Sequence, residues 1–96
     1  MTDAVVRRRL VITGRVQNVS YRDWFVEQMR GLGVRGWVRN RANGTVEAVL
    51  EAPGEVIDAA IVAAHRGSPA SRVEQVAVDG DVPPGSLGTF DRRATL

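Results

Sequence analysis

The first third of the chain changes from an alternating pattern of apolar residues to a helical one. Residues 5–13 (VVRRRLVIT) are rich in β-branched side chains and place Leu10 and Ile12 on one face, which predicts a first strand. From residue 20 onward the apolar residues recur every three or four positions, which predicts an amphipathic helix. The predicted apolar stripe consists of Tyr21, Trp24, Phe25, Met29 and Leu32.

Local signals mark both ends of this helix. Ser20 and Asp23 fit a capping box at the start, in which each side chain bonds to the backbone of the other residue. Gly31 and Gly33 supply the residues that commonly end a helix.

A β-hairpin is predicted over residues 34–51. Asn43-Gly44 is a strong turn signal, because both residue types tolerate a positive φ. By the period of two, one face of the first strand carries Val34, Gly36, Val38 and Asn40, and one face of the second carries Val46, Ala48 and Leu50.

The rest of the chain predicts a second amphipathic helix over 55–66, a fourth strand over 72–79 and a weak last strand over 89–96. The order β-α-β-β-α-β predicts a single α+β domain over 1–96. Its architecture is the ferredoxin-like βαββαβ sandwich, a mainly antiparallel sheet with two helices on one face. This fold hosts enzymes, RNA-binding proteins and metal carriers, so it does not by itself give a function.

Composition excludes several kinds of chemistry. The 96 residues contain 13 arginines, no lysine and no cysteine, so disulfides, thiolate nucleophiles and lysine Schiff bases are excluded. A formal charge of +2 gives little support to a nucleic-acid or membrane-surface partner. The N-terminus lacks the apolar stretch of a signal peptide, and no apolar run approaches the ~20 residues of a membrane span. We therefore expect a cytoplasmic protein.

The segment GRVQNVSYR, residues 14–22, leads from the first strand into the first helix. A loop that enters a helix N-terminus presents free N–H groups, which together with the helix dipole attract an anion. Arg22 is a cation where the dipole disfavours one, and a bound anion would offset that penalty. The alternative, an ordinary turn with Arg22 in solvent, is equally consistent with the residues.

Asn40 is a polar residue on the apolar face of the predicted second strand, just before the turn. Such a residue needs a hydrogen-bond partner when it is buried. It either caps the turn or presents a carboxamide that can hold a water molecule by donating and accepting at once.

Two segments resemble the signatures of one enzyme family. GRVQNVSYR resembles the phosphate-cradle signature of the acylphosphatases, and GWVRNRANGTVE resembles their second signature, in the same order and at the same separation. GSPASRVEQV is similar to a third, looser block. The resemblance covers nearly the whole chain.

The resemblance implies hydrolysis of the carboxyl–phosphate bond of a small-molecule acyl phosphate, giving a carboxylate and inorganic phosphate without a metal, a cofactor or a covalent intermediate. By position it implies that Arg22 binds the phosphoryl group and that Asn40 orients the attacking water. The backbone of Arg15, Val16, Gln17, Asn18 and Val19 forms the cradle by the same implication. We expect a monomer with no nucleic-acid or membrane partner.

This chain departs from the family pattern at two positions. Asn18 stands where the family has its second cradle glycine, and asparagine is the least costly substitute if the loop needs a positive φ. Arg41 follows Asn40 where the family often has a small hydroxyl residue, which could alter the water site.

The other polar features favour structural roles. We expect a solvated edge at the arginines of 7–9, solvated carboxylates at Glu47 and Glu51, a half-exposed Trp37, and His65 at a surface helix end. Two alternatives to the enzyme are an acylphosphatase-like module without this activity and an RNA-binding domain of the same strand order. RNA-binding domains of this kind stack bases on aromatic residues of their central strands, and the first and third strands here contain none.

Overall fold

The computed structural model describes residues 4–96, which form seven elements of secondary structure. They are β1 (Val5–Arg15), α1 (Tyr21–Leu32), β2 (Arg35–Asn40), β3 (Val46–Pro53), α2 (Gly54–Arg66), β4 (Arg72–Asp79) and β5 (Asp91–Arg92). The predicted order of strands and helices is confirmed. The predicted last strand is shorter than expected.

The strands form one sheet in the order β4-β1-β3-β2-β5. Strand β1 pairs antiparallel with both β3 and β4, and β2 pairs antiparallel with β3. The two-residue strand β5 instead lies parallel to β2, with Val38 opposite Arg92. The mainly antiparallel ferredoxin-like sandwich is thus confirmed.

Both helices pack on the same face of the sheet, because their apolar stripes join one buried cluster with the strands. Leu10, Ile12, Val38 and Leu50 of the sheet are fully buried there, as the alternation predicts. In α1 the buried positions are Tyr21, Phe25, Val26 and Met29. Leu32 is exposed instead, since it lies in the last turn of the helix.

The opposite face of the sheet carries a second, smaller cluster. Trp37, Val49 and Leu87 are buried together, with Leu87 supplied by the segment that follows β4. The expectation of a half-exposed Trp37 is wrong, because this segment covers the ring and leaves it 5% exposed. The guanidinium groups of Arg39 and Arg93 each lie 4.8 Å from the ring centroid.

Glu47 is buried on the same face, so the expectation of a solvated carboxylate is wrong. Arg9, Arg39 and Arg41 pair with it at 2.7, 2.8 and 3.3 Å. Burial alone raises the pKa of a carboxyl group, but the hydrogen bonds from Arg9 and Arg39 outweigh this effect and lower the pKa of Glu47. The cluster joins three strands across the sheet.

The neighbouring charges of the first strand are also engaged. Arg7 pairs with Glu51 at 2.7 Å, and Arg9 also reaches Asp79 at 2.9 Å. The arginines at 7 and 9 therefore form ion pairs across the sheet rather than the solvated edge that the sequence indicated.

The hairpin turn between β2 and β3 is confirmed, although only one of its two signal residues has a positive φ. Gly44 has a φ of 92° and donates its N–H to the carbonyl of Arg41 at 3.1 Å. Asn43 accepts hydrogen bonds from the backbone N–H and hydroxyl of Thr45. The turn holds the end of β2, where Asn40 lies, in a defined position.

Candidate functional site

The loop between β1 and α1 begins at a bulge that requires glycine. The register of β1 against β4 shifts between Thr13 and Gly14, and Gly14 has a φ of 121°. A Cβ atom at this position would collide with the backbone of Arg72. The bulge shifts the register of the last two residues of β1, Gly14 and Arg15, before the chain leaves the sheet towards α1.

Two further residues of this loop have left-handed backbone conformations. Asn18 has a φ of 60° and Ser20 a φ of 59°. The expectation that asparagine replaces glycine at a positive φ is thus consistent with the structure. The predicted capping box is wrong, because Ser20 in this conformation makes no side-chain hydrogen bond to the helix backbone.

The loop therefore presents backbone donors that have no partner. Within residues 4–96, the N–H groups of residues 17–20 donate to no protein acceptor. The first N–H groups of α1 also lack intrahelical partners, as in every helix. Val16 differs, since its N–H donates to the carbonyl of Gly14 at 3.1 Å and is not available to a ligand.

Gln17 ties this loop to the hairpin turn. Its side-chain amide nitrogen donates to the carbonyls of Arg41 and Thr45 at 2.8 and 2.9 Å. The side chain thus points to the turn, and only its backbone is free for a ligand. These bonds connect the loop to the strand that carries Asn40.

Asn40 is the last residue of β2 and is 9% exposed. It lies on the helix side of the sheet with Val38, as the period of two predicts. Its side-chain oxygen Oδ1 is buried and has no hydrogen-bond partner in the described chain. Asn40 does not cap the turn through this oxygen, which leaves the carboxamide for another partner.

Arg41 does not enter the site. Strand alternation continues past Asn40, and Arg41 directs its guanidinium to Glu47 on the opposite face of the sheet. Arg41 therefore stands where the family often has a small hydroxyl residue, but its large side chain does not lie next to the carboxamide of Asn40.

Arg22 lies in the first turn of α1. Its guanidinium makes one long contact, from Nη1 to the carbonyl of Arg93 at 3.4 Å, and it forms no ion pair within residues 4–96. Most of its five donors are therefore available to a ligand.

Tyr21 anchors the start of the same helix. Its hydroxyl donates to the carbonyl of Ala64 in α2 at 2.9 Å, and its ring stacks on Phe25. Burial raises the pKa of Tyr21, so its phenol stays protonated at neutral pH. It supports the position of Arg22 and is not a base.

These features surround a cavity of about 380 Å³, which is within the range of small-molecule sites. It is lined by Val16, Asn18, Ser20, Tyr21, Arg22, Asp23, Asn40 and Arg92. The cavity brings together Val16, Asn18, Arg22 and Asn40 from the residues that the sequence predicted.

Three of the predicted cradle residues do not line the cavity. Arg15 is exposed as the last residue of β1, the side chain of Gln17 bonds to the hairpin, and Val19 packs against the main apolar cluster. Of these three residues, Gln17 and Val19 have backbone N–H groups without a protein partner, and these groups are compatible with the cradle role.

The sequence did not identify Asp23 and Arg92 as site residues. Arg92 Nη1 donates to Asp23 Oδ1 at 2.7 Å, which joins β5 to the first turn of α1 at the cavity. The period of two could have indicated Arg92, because Phe90 and Arg92 share one face of an extended segment and Phe90 is buried. Its placement beside β2 depends on long-range pairing that no local pattern specifies.

Other titratable groups lie away from the cavity. His65 is exposed in the last turn of α2, as expected. In residues 4–96, no group of three or more His, Asp or Glu side chains is arranged to hold a metal ion. None of the helices described is long and apolar enough to cross a membrane.

The fold and the site define a ferredoxin-like α+β domain with a small polar cavity at the N-terminus of its first helix. The acylphosphatase family model matches residues 8–91. The chain is 44% identical to an acylphosphatase of Rhizorhabdus wittichii over 95% of this chain and 91% of the relative. It is 45% identical to one of Acidovorax sp. strain JS42, covering 97% of this chain and 95% of the relative.

The structure is similar to the crystal structure of acylphosphatase from Bacillus subtilis, with a TM-score of 0.86 and 28% identity, covering 94% of this chain and 99% of that one. The chain therefore belongs to the acylphosphatase family, as its two sequence signatures predicted.

Proposed function

We propose that this chain hydrolyses the carboxyl–phosphate bond of acyl phosphates at the cavity between the β1–α1 loop and β2. One observation carries the proposal: the same cavity is lined by Arg22, which forms no ion pair within residues 4–96, by loop residues whose N–H groups have no protein partner there, and by Asn40, whose buried carboxamide oxygen also has none. Membership of the acylphosphatase family supports the same activity.

The phosphoryl group binds to the loop and to Arg22. In this proposal the unpaired N–H groups of residues 17–19, with those of the first turn of α1, donate to the anion, and the helix dipole adds to the attraction. The guanidinium of Arg22 matches two phosphoryl oxygens with parallel donors. Charge that develops on these oxygens in the transition state is thereby stabilised.

Asn40 orients the water molecule that attacks phosphorus. An unpaired buried acceptor costs about 1–3 kcal/mol, and a water that donates to Oδ1 removes this cost. Such a water has a fixed orientation beside the bound phosphoryl group. Positioning of this kind is a principal contribution that a protein makes to phosphoryl transfer.

The reaction then needs no acid or base from the protein. The water oxygen forms a bond to phosphorus as the bond from phosphorus to the acyl oxygen breaks, and the electron pair leaves on the carboxylate. The proton of the water passes to a phosphoryl oxygen, which gives inorganic phosphate. A carboxylate is a weakly basic leaving group, and the protonated Tyr21 offers no base.

The proposal also includes a monomer in the cytoplasm that does not bind nucleic acid. The arginines on the outer face of the sheet support the last point, because Arg7, Arg9 and Arg39 are engaged by carboxylates. Sedimentation analysis tests the monomer, and a titration with single-stranded RNA at low salt tests the absence of nucleic-acid binding.

Hydrolysis of benzoyl phosphate tests the proposal. We expect Arg22→Ala to lower kcat/KM by at least about tenfold, since hydrogen bonds to charged groups contribute about 1.5–3 kcal/mol. Arg66→Ala is the control, because Arg66 ends α2 and does not line the cavity. Hydrolysis no faster than in buffer, or equal rates for Arg22→Ala and the unaltered protein, would contradict the proposal. A chelator is expected to leave the rate unchanged.

A further inference from the structure

The cavity contains a second arginine, Arg92, that the proposed hydrolysis does not use. Arg92 lies opposite Val38 in the parallel pairing of β5 with β2. Its side chain reaches the helix side of the sheet, where it lines the cavity with Arg22 and Asn40. Two cations thus border a cavity in which one anionic phosphoryl group binds.

Asp23 holds this second guanidinium in place. Arg92 Nη1 lies 2.7 Å from Asp23 Oδ1, and the two side chains are 49% and 67% exposed. The carboxylate engages only one of the five donors of Arg92 in this contact. The other donors stay available, and a guanidinium already held in one position loses less conformational freedom when it binds a ligand.

We propose that Arg92 is a specificity-determining residue that favours acyl phosphates of dicarboxylic acids. The inference rests on the proposed function, in which Arg22 and the loop bind the phosphoryl group. The acyl part of the substrate then occupies the remainder of the cavity, where Arg92 is the other cation. A free carboxylate at the far end of a short acyl chain matches the planar fork of its guanidinium.

The expected preference is modest. Arg92 is half exposed, and Asp23 repels a second carboxylate, so the contact is weaker than a buried ion pair. We expect the contact to change kcat/KM by about 1.5-fold to fivefold, as for a partly exposed charged pair. Added salt should reduce the preference, because it screens exposed charges.

A pair of matched substrates tests the inference. Succinyl phosphate and butyryl phosphate both carry a four-carbon acyl chain, and only the first has a second carboxylate. The measured quantity is the ratio of their kcat/KM values for the unaltered protein, Arg92→Ala and Arg92→Gln. Arg93→Ala is the matched control, because Arg93 is the next residue and its guanidinium lies over Trp37 on the other face.

We expect the ratio to fall about 1.5-fold to fivefold in both Arg92 variants, to persist in Arg93→Ala, and to decline with salt in the unaltered protein. An unchanged ratio in the Arg92 variants, or an equal fall in Arg93→Ala, would overturn the role of Arg92 while hydrolysis itself still supports the proposed function. If the unaltered protein hydrolyses neither substrate above background, the proposed function fails and the specificity role fails with it.

Discussion

Replacing Asn40 by leucine should make the protein more stable and nearly inactive. The side-chain oxygen of Asn40 is buried without a protein partner, and Val38, its same-face neighbour on β2, belongs to the main apolar cluster. Leucine has the same number and branching of side-chain heavy atoms, with two bulkier methyl groups in place of the oxygen and nitrogen, and it contains no polar atom. The substitution therefore removes an unfavourable buried acceptor and, with it, the group that we propose to orient water.

The two effects have different magnitudes. An unpaired buried acceptor costs about 1–3 kcal/mol, and a cavity water that partly satisfies it reduces the gain, so we expect about 1 kcal/mol of stabilisation. For a domain of this size, that corresponds to a rise in Tm of about 4–8 °C. Loss of a preorganised polar group in the site should lower kcat by about 10²–10³.

Thermal unfolding without phosphate and hydrolysis of benzoyl phosphate measure both quantities. Asn43→Leu is the control, because the side-chain oxygen of Asn43 accepts two hydrogen bonds from Thr45 in the turn, away from the cavity. That variant should lose stability and keep its kcat. A marked loss of stability in Asn40→Leu would show that Asn40 is a structural residue, and a normal kcat would remove it from the mechanism.

Substitutions at three further positions test other parts of the account. Gln17→Leu removes both bonds to the hairpin and should weaken inorganic phosphate binding by up to about tenfold in calorimetry; unchanged affinity would show that the loop holds its shape alone. Asn18→Val should lower phosphate affinity by about tenfold or more, because a β-branched residue is strained at a φ of 60°, whereas Asn18→Gly should be the milder change. The lowered pKa of Glu47 means that its stabilisation is present above its ordinary value near 4.5 and is lost as the pH falls through the lower folded value. Glu47→Gln should therefore destabilise the protein at pH 7 and flatten its stability profile on the acid side of the ordinary value near 4.5 in urea titrations, and a parallel profile would contradict this.

The sequence predicted the elements well because their signals are local. The apolar stripe of α1 and the alternation of Leu10 and Ile12 reflect burial on a single face, which period alone reveals. The positive φ of Asn18 was also predictable, since few other residue types adopt this conformation at low cost. The capping box failed because the left-handed backbone of Ser20 keeps its side chain from bonding to the helix.

Features that depend on distant segments were not predictable from local pattern. Glu47 is buried because arginines of β1 and β2 meet it, and Trp37 is buried because the segment around Leu87 crosses the outer face. Arg92 enters the cavity only because Asp91 and Arg92, which follow Phe90, pair with β2. In each case a polar or aromatic residue contacts a residue that is separated from it along the chain by at least one other helix or strand.

Hydrolysis of an acyl phosphate in ¹⁸O-labelled water tests the central claim most directly. Arg22 and the loop are proposed to bind the phosphoryl group while Asn40 aims water at phosphorus. The account predicts that the label enters inorganic phosphate in the enzymatic reaction and that the rate of this incorporation falls at least about tenfold with Arg22→Ala. Label in the released carboxylate would contradict it, because water would then have attacked the carbonyl carbon.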